Sequence, residues 1–176
     1  MARVFVSVGS NIEPEENLRL ACGELERRFG GLEVSSVYRN PPVGFAGEDF
    51  LNLVAAFETE RSPQAVVAEL EEIHDLAGRQ RSGERFAPRT LDLDLLLYDD
   101  LVTDGPAFSL PRDDVLEYDF VLGPLAELAP DLVHPVEGRS LAELWQDFDG
   151  SGRRLEVQDL DIAGGSRTLA IRGGDG

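Results

Sequence analysis

The stretch LDLDLLLY, from Leu91 to Tyr98, decides the architecture of this chain. It alternates with the period of a β-strand, in which residues two apart share a face. Asp92 and Asp94 therefore project together, roughly 7 Å apart along the chain, while Leu91, Leu93, Leu95 and Leu97 take the opposite face. Upstream, Ser62-Pro63 opens a stretch in which Val66, Leu70, Ile73 and Ala77 form one apolar stripe of a helix, with Gly78 expected as its C-cap. Phe50 to Glu60 and Leu32 to Tyr38 both read as strands, separated by a Pro-Pro-Val-Gly loop. Further back, Leu18, Cys22, Leu25 and Phe29 recur at helical spacing between Pro14 and Gly30-Gly31. The first strand is carried by Val4, Val6 and Val8, which alternate with Phe5 and Ser7 until Gly9-Ser10-Asn11 breaks the pattern.

The resulting order is β-α-β-β-α-β, which predicts an α+β, ferredoxin-like antiparallel sheet. Additional short helices are expected near Phe120 to Leu128 and Leu141 to Phe148, giving helices on both sides of the sheet in an α/β/α sandwich-like arrangement. Residues 1–149 are expected to form the domain. Residues 150–176 read as a Gly-rich, charged tail of uncertain order, with a strand-like patch around Thr168 to Arg172.

A chain of 176 residues, 42% hydrophobic, can bury a core without disulfide staples. No apolar run approaches the ~18 residues of a membrane span. The opening MARVFVSVGSN lacks the succession of a signal peptide, so a cytoplasmic protein is expected. The single Cys22 has no disulfide partner, and one cysteine with two histidines cannot build a conventional structural zinc site, so Cys22 is expected in the core. A net charge of −18 argues against a general nucleic-acid or anionic-membrane surface. All 16 basic residues are arginines. The absence of lysine excludes a P-loop lysine, a kinase strand lysine and a Schiff-base lysine.

Two carboxylates on one strand face cannot sit ionised without cations, so Asp92 and Asp94 call for metal or arginine. Hard oxygen ligands suit Mg²⁺, and two ions about 4 Å apart would fit such a pair; the alternative is a pair of solvated aspartates on an exposed face. Immediately upstream, GRQRSGERFAPR (78–89) places four arginines in twelve residues. Arginine forks bind phosphate bidentately, so this stretch beside the aspartates points to phosphoryl-type transfer from a nucleotide. A solvated loop or a nucleic-acid contact are the alternatives. On the third strand, Phe50 and Asn52 share a face and offer an aromatic plane with an amide, the means of reading a flat heterocycle, unless they are an ordinary strand pair. The proline-stiffened loop before them has free carbonyls at Asn40 and Val43 that could complete edge recognition.

With these residues in view, the chain resembles the 6-hydroxymethyl-7,8-dihydropterin pyrophosphokinases of folate biosynthesis. The resemblance runs in order through VSVGSN, SSVYRNPPVG, DFLNLV, GRQR, RFAPRTLDLDLLLY and FVLGPLAELAPDLVHP. It implies a ferredoxin-like core and transfer of pyrophosphate from ATP to the hydroxymethyl of the pterin, releasing AMP. On this sequence it implies that Asp92 and Asp94 hold two Mg²⁺ ions and that Arg79 and Arg89 act on the phosphates as catalytic groups. Arg81, Arg85, Ser109 and Arg112 would complete the ATP-binding set. Phe50 and Phe120 would sandwich the pterin, with Asn52 and the carbonyls around Asn40 and Val43 reading its edge. The resemblance further implies small-molecule partners only and a monomer; the alternative is a diverged relative that binds pterin or nucleotide without turnover or with altered specificity.

Three positions depart from the family pattern. Arg112 and Tyr118 stand where a histidine and an arginine are usual, and His74 stands where the second helix usually carries a glutamate associated with the nucleotide side.

Overall fold

The computed structural model describes residues 1–42, 47–79, 91–148, 155–160, 162 and 167–168. The central strand β1 (Ala2–Ser10) is flanked by two antiparallel neighbours. The strand β4 (Phe50–Thr59) runs along one side, from Ala2 opposite Thr59 to Ser10 opposite Leu51. On the other side lies β5 (Asp92–Tyr98), with Val8 opposite Leu93 and Gly9 opposite Asp92. Beyond β4 come β2 (Glu33–Val34) and β3 (Val37–Asn40), both antiparallel to it. The path β5-β1-β4-β2 places β5 at the sheet edge. This is the α+β, ferredoxin-like sheet expected from the alternating patterns.

Two apolar layers sit on its faces. The helices α1 (Pro14–Phe29) and α2 (Pro63–Arg79) bury Leu18, Leu25, Val66, Leu70 and Ile73 against Val4, Val6, Val8, Leu53 and Phe57. Cys22 lies in this layer, and burial pushes its thiol up to about 12, so it is an inert core residue. On the opposite face, after the short α3 (Asp114–Glu117), α4 (Asp119–Leu128) and α5 (Leu141–Asp147) cover Phe5, Val54, Ala56, Leu96 and Leu97. Among the described residues no helix is long and apolar enough to cross a membrane.

Four local expectations are corrected. The strand expected over Leu32 to Tyr38 is broken at Ser35-Ser36, because the Ser35 hydroxyl, not a backbone carbonyl, accepts the Val54 N–H at 2.9 Å. The Ser36 N–H turns away to the Glu127 carboxylate at 2.8 Å. Gly78 is not a C-cap, since α2 runs on to Arg79. Leu97 does not share a face with Leu91, Leu93 and Leu95. The β1–β5 register slips between Phe5 and Val6, and this bulge turns Leu97 to the side of Leu96, under α4. The last helix ends at Asp147, with Phe148 as its extended cap.

Late segments join the sheet. The strand β8 (Glu156–Gln158) pairs antiparallel with β3, β9 (Arg167–Thr168) pairs parallel with β2, and Ile162 is buried in the α1/α2 layer. Between β5 and α3 a small hairpin forms from β6 (Thr103–Asp104) and β7 (Ser109–Leu110).

Candidate active site

The sheet face under α4 is divided along its strands. One half is apolar and covered; the other carries small and polar residues and opens into a cavity of about 220 Å³. Strand register builds its floor. Asp92, Gly9 and Asn52 lie side by side across three strands, and Asp94 stands opposite Ser7 in the row beside them; Tyr38 extends the first row beyond the cavity. Phe50 lies on the same face as Asn52, and the wall across from the sheet is made by Asp114, Tyr118, Phe120 and Val121. The Tyr118 ring stacks on Phe120 with centroids 5.0 Å apart and planes 20° from parallel. This puts an aromatic wall opposite an amide floor.

The amides are fixed by each other. Asn52 Nδ2 donates to Asn40 Oδ1, and Asn40 Nδ2 donates to the Pro41 carbonyl at 3.1 Å. Both residues are buried, and the Asn52 oxygen lies over the bare Cα of Gly9. Behind them, the Glu127 carboxylate on α4 accepts from the Tyr38 hydroxyl at 2.6 Å and from Ser36 N–H and Oγ at 2.8 and 3.2 Å. Burial pushes the Glu127 carboxyl above the ordinary range, and the Tyr38 and Ser36 donors pull against it. Glu127 thus ties the aromatic wall to the strand that carries Asn40.

At the other end, among the described residues, the carboxylates outnumber the cations beside them. Burial pushes Asp94 above the ordinary carboxylate range; Arg112 opposes this, while Asp114 and Asp92 reinforce it. Arg112 Nη2 lies 3.6 Å from Asp94 and its Nε 3.1 Å from Asp114. These acids raise the Arg112 pKa against a burial that would lower it. Among the described residues Asp94 and Asp114 share the Arg112 guanidinium, with the exposed Asp92 beside them, a setting that favours an added cation. Among the described residues no group of three or more His, Cys, Asp or Glu side chains converges as a metal site. The two carboxylates of Asp92 and Asp94 are hard oxygen donors of the kind that would suit Mg²⁺.

The residues expected at the site distribute unevenly. Asn40, Phe50, Asn52, Asp92, Asp94 and Phe120 all line the cavity. Arg112 reaches it through Asp94. Ser109 does not line it; its hydroxyl donates to Asp104 within the small hairpin. Val43, Arg81, Arg85 and Arg89 lie outside the described residues, and Arg79 is described only as the end of α2. His74 lies on α2 with its side chain 6% exposed, and its Nε2 accepts the Leu93 N–H at 2.8 Å. Sequence reasoning missed Ser7, Asp114 and the Glu127 network. The acidic pair Asp113-Asp114 next to Arg112 was the available signal for the second, whereas nothing local marks the partners of Glu127.

The model of the 7,8-dihydro-6-hydroxymethylpterin-pyrophosphokinase (HPPK) family matches residues 5–130 of this chain. The chain belongs to that family. The HPPK named 2-amino-4-hydroxy-6-hydroxymethyldihydropteridine pyrophosphokinase from Pseudomonas aeruginosa is 41% identical over 146 residues, covering 81% of this chain and 89% of the relative. The Haemophilus influenzae protein of the same name is 35% identical over 152 residues, covering 84% and 94%. The folic acid synthesis protein fol1 of Schizosaccharomyces pombe is 33% identical over 173 residues, covering 95% of this chain and 24% of that protein. A solved HPPK-DHPS chain of Plasmodium falciparum superposes with a TM-score of 0.65 at 12% identity, over 84% of this chain and 44% of that one, a likeness of fold. As an HPPK the chain is an enzyme, a pyrophosphokinase of folate biosynthesis. The HPPK match spans the sheet floor, the Asp92–Asp94 strand and the aromatic wall, stopping just past α4.

Proposed function

We propose that this chain transfers an intact pyrophosphoryl group from ATP to the hydroxymethyl oxygen of 6-hydroxymethyl-7,8-dihydropterin. The hydroxyl oxygen bonds to the β-phosphorus, the bond from that phosphorus to the oxygen of the α-phosphate breaks, AMP departs with that oxygen, and the hydroxyl proton passes to solvent. One observation carries this reading: a carboxylate pair and an amide–aromatic slot share one sheet face, within a single cavity.

Asn52 and Asn40 present amide groups suited to the donor–acceptor edge of a pterin, and Phe50 and Phe120 supply aromatic surface for its ring. The carbonyl of Val43 adds to edge recognition. Asp92 and Asp94 are the residues that would hold two Mg²⁺ ions. When bound, Mg²⁺ offsets phosphate charge and helps align donor and acceptor oxygens. Arg79 and Arg89 act on the transferred phosphates, with Arg81, Arg85, Ser109 and Arg112 on the ATP side. Catalysis then rests on positioning and charge stabilisation, without a protein nucleophile. The chain acts as a cytoplasmic monomer on small molecules.

A second reading, pterin or nucleotide binding with altered specificity or without turnover, draws on Arg112 and Tyr118. Arg112 is already engaged by Asp94 and Asp114, and Tyr118 stacks on Phe120 where the resemblance led us to expect a cation. Incubating purified protein with ATP, hydroxymethyldihydropterin and Mg²⁺ separates the two. AMP and pterin pyrophosphate formed together support transfer; pterin binding by calorimetry with no AMP from any of several nucleotides supports the second reading and overturns the first.

A further inference from the structure

Among the described residues the strand that carries the carboxylate pair has one neighbour in the sheet, β1, and stands at its edge. Its inner side is bonded to β1, with Val8 opposite Leu93. Among the described residues its outer side is held at two points. The Leu96 carbonyl accepts the Arg112 N–H at 3.0 Å, and the Leu93 N–H donates to His74 Nε2 on α2 at 2.8 Å. Leu93 is the residue between Asp92 and Asp94. An edge strand held by a full ladder on one side and by isolated bonds on the other can twist about its own axis, and a twist at Leu93 swings both carboxylates at once.

We infer that His74 is a positioning residue for the Asp92–Asp94 pair, acting through the Leu93 N–H; this rests on those aspartates being the metal-holding pair. The imidazole is suited to the task. An Nε2 that accepts leaves the ring proton on Nδ1, which faces Glu71 Oε1 at 3.3 Å. The acceptor therefore adds no negative charge to a region that already holds Asp92, Asp94 and Asp114, and its nitrogen, occupied by the backbone, does not compete for the cation. Helix packing does not depend on this bond, because Val66, Leu70, Ile73 and Ala77 already seat α2 in the core. The hydrogen bond supplies local registration, as outer-shell partners of metal ligands do.

The test compares wild type, His74→Leu and His74→Gln, the last able to accept the same N–H through its side-chain carbonyl. Mn²⁺ binding is followed by electron paramagnetic resonance with a non-hydrolysable ATP analogue, and Leu93 amide exchange by NMR. His74→Leu is expected to speed Leu93 exchange and to weaken Mn²⁺ binding by about tenfold, with pterin affinity within about twofold of wild type, and His74→Gln to recover most of the loss. Should His74→Leu not fold, His74→Asn, polar but too short to reach Leu93, takes its place. Unchanged Mn²⁺ affinity in a folded variant whose Leu93 amide exchanges faster overturns the inference while leaving the metal pair intact. Wild type that binds no Mn²⁺ overturns it differently, by removing the pair's metal role itself.

Discussion

The amide oxygen of Asn52 lies over Gly9 on the neighbouring strand, so close that a methyl at position 9 would come within 2.5 Å of it. Gly9 is therefore the vacancy into which the Asn52 amide folds on its way to Asn40. Gly9→Ala is expected to push the amide out of that plane and to lower pterin affinity by at least about tenfold, roughly 1.4 kcal/mol. The overpacking itself should cost about 1–3 kcal/mol of stability. Titration calorimetry and a urea melt read the two effects separately; wild-type pterin affinity in the variant would show that Asn52 has no part in recognition.

Asp94→Asn should separate chemistry from stability. Burial raises the Asp94 pKa in the fold, so ionising it opposes folding. The sign follows: that penalty is absent below the ordinary carboxylate range and fully present once pH exceeds the raised value. The variant is expected to gain thermal stability over wild type as pH rises through this window, and to match it more closely at lower pH. Turnover should be abolished at every pH. Melting curves across pH check the first expectation, and an apo variant that melts far below wild type at neutral pH would instead give Asp94 a structural role.

Glu127 accepts three hydrogen bonds from β3 and the residue before it, and both donor residues, Ser36 and Tyr38, are buried. Tyr38→Phe should cost about 1 kcal/mol, one hydrogen bond, and Glu127→Ala about 3 kcal/mol, because it strands the Ser36 N–H and the Tyr38 hydroxyl together. The double variant is expected to fall well short of the sum of the two singles. Urea denaturation of the four proteins closes the cycle; additive losses would mean that Tyr38 and Glu127 act independently.

Two helical glycines should respond oppositely to alanine. Gly123 is approached by Leu155 Cδ1 and the Trp145 ring, so that an added Cβ would lie 2.6 and 3.0 Å from them. Overpacking of about 1–3 kcal/mol then outweighs the roughly 1 kcal/mol that alanine brings to a helix. Among the described residues nothing comes within 4 Å of a Cβ built at Gly78, so Gly78→Ala should gain about 1 kcal/mol. Thermal melts give both signs, and the emission of Trp145, the single tryptophan of the chain, should shift only in Gly123→Ala.

Patterns that repeat along the chain were legible in the sequence. The alternation of Val4, Val6 and Val8, the helical stripe of Val66, Leu70, Ile73 and Ala77, and the paired aspartates each depend on local geometry, and each stands in the fold where its period puts it. What escaped depends on partners distant in sequence. Nothing within Leu32 to Tyr38 reveals that a serine hydroxyl replaces a ladder carbonyl, since the donor is Val54. The bulge that turns Leu97 arises from a slip against Phe5 and Val6, not from the leucines themselves. Gly78 looked like a stop because glycine favours helix ends, but a glycine whose conformation stays helical ends nothing. The cavity floor was foreseen at Asn52 and Asp92, while Gly9 between them was read as a strand terminator and not as the space an amide needs.

The late strand β8 covers the flank of β3 that β4 leaves open, pairing Val37 with Gln158 and Arg39 with Glu156. The strand bearing Asn40 is thereby an interior member of the sheet. Without that cover its row of amides and carbonyls would be a template for another chain. Shortening the protein before Glu156 should therefore show itself first as aggregation on concentration, a failure of solubility that precedes any failure of catalysis.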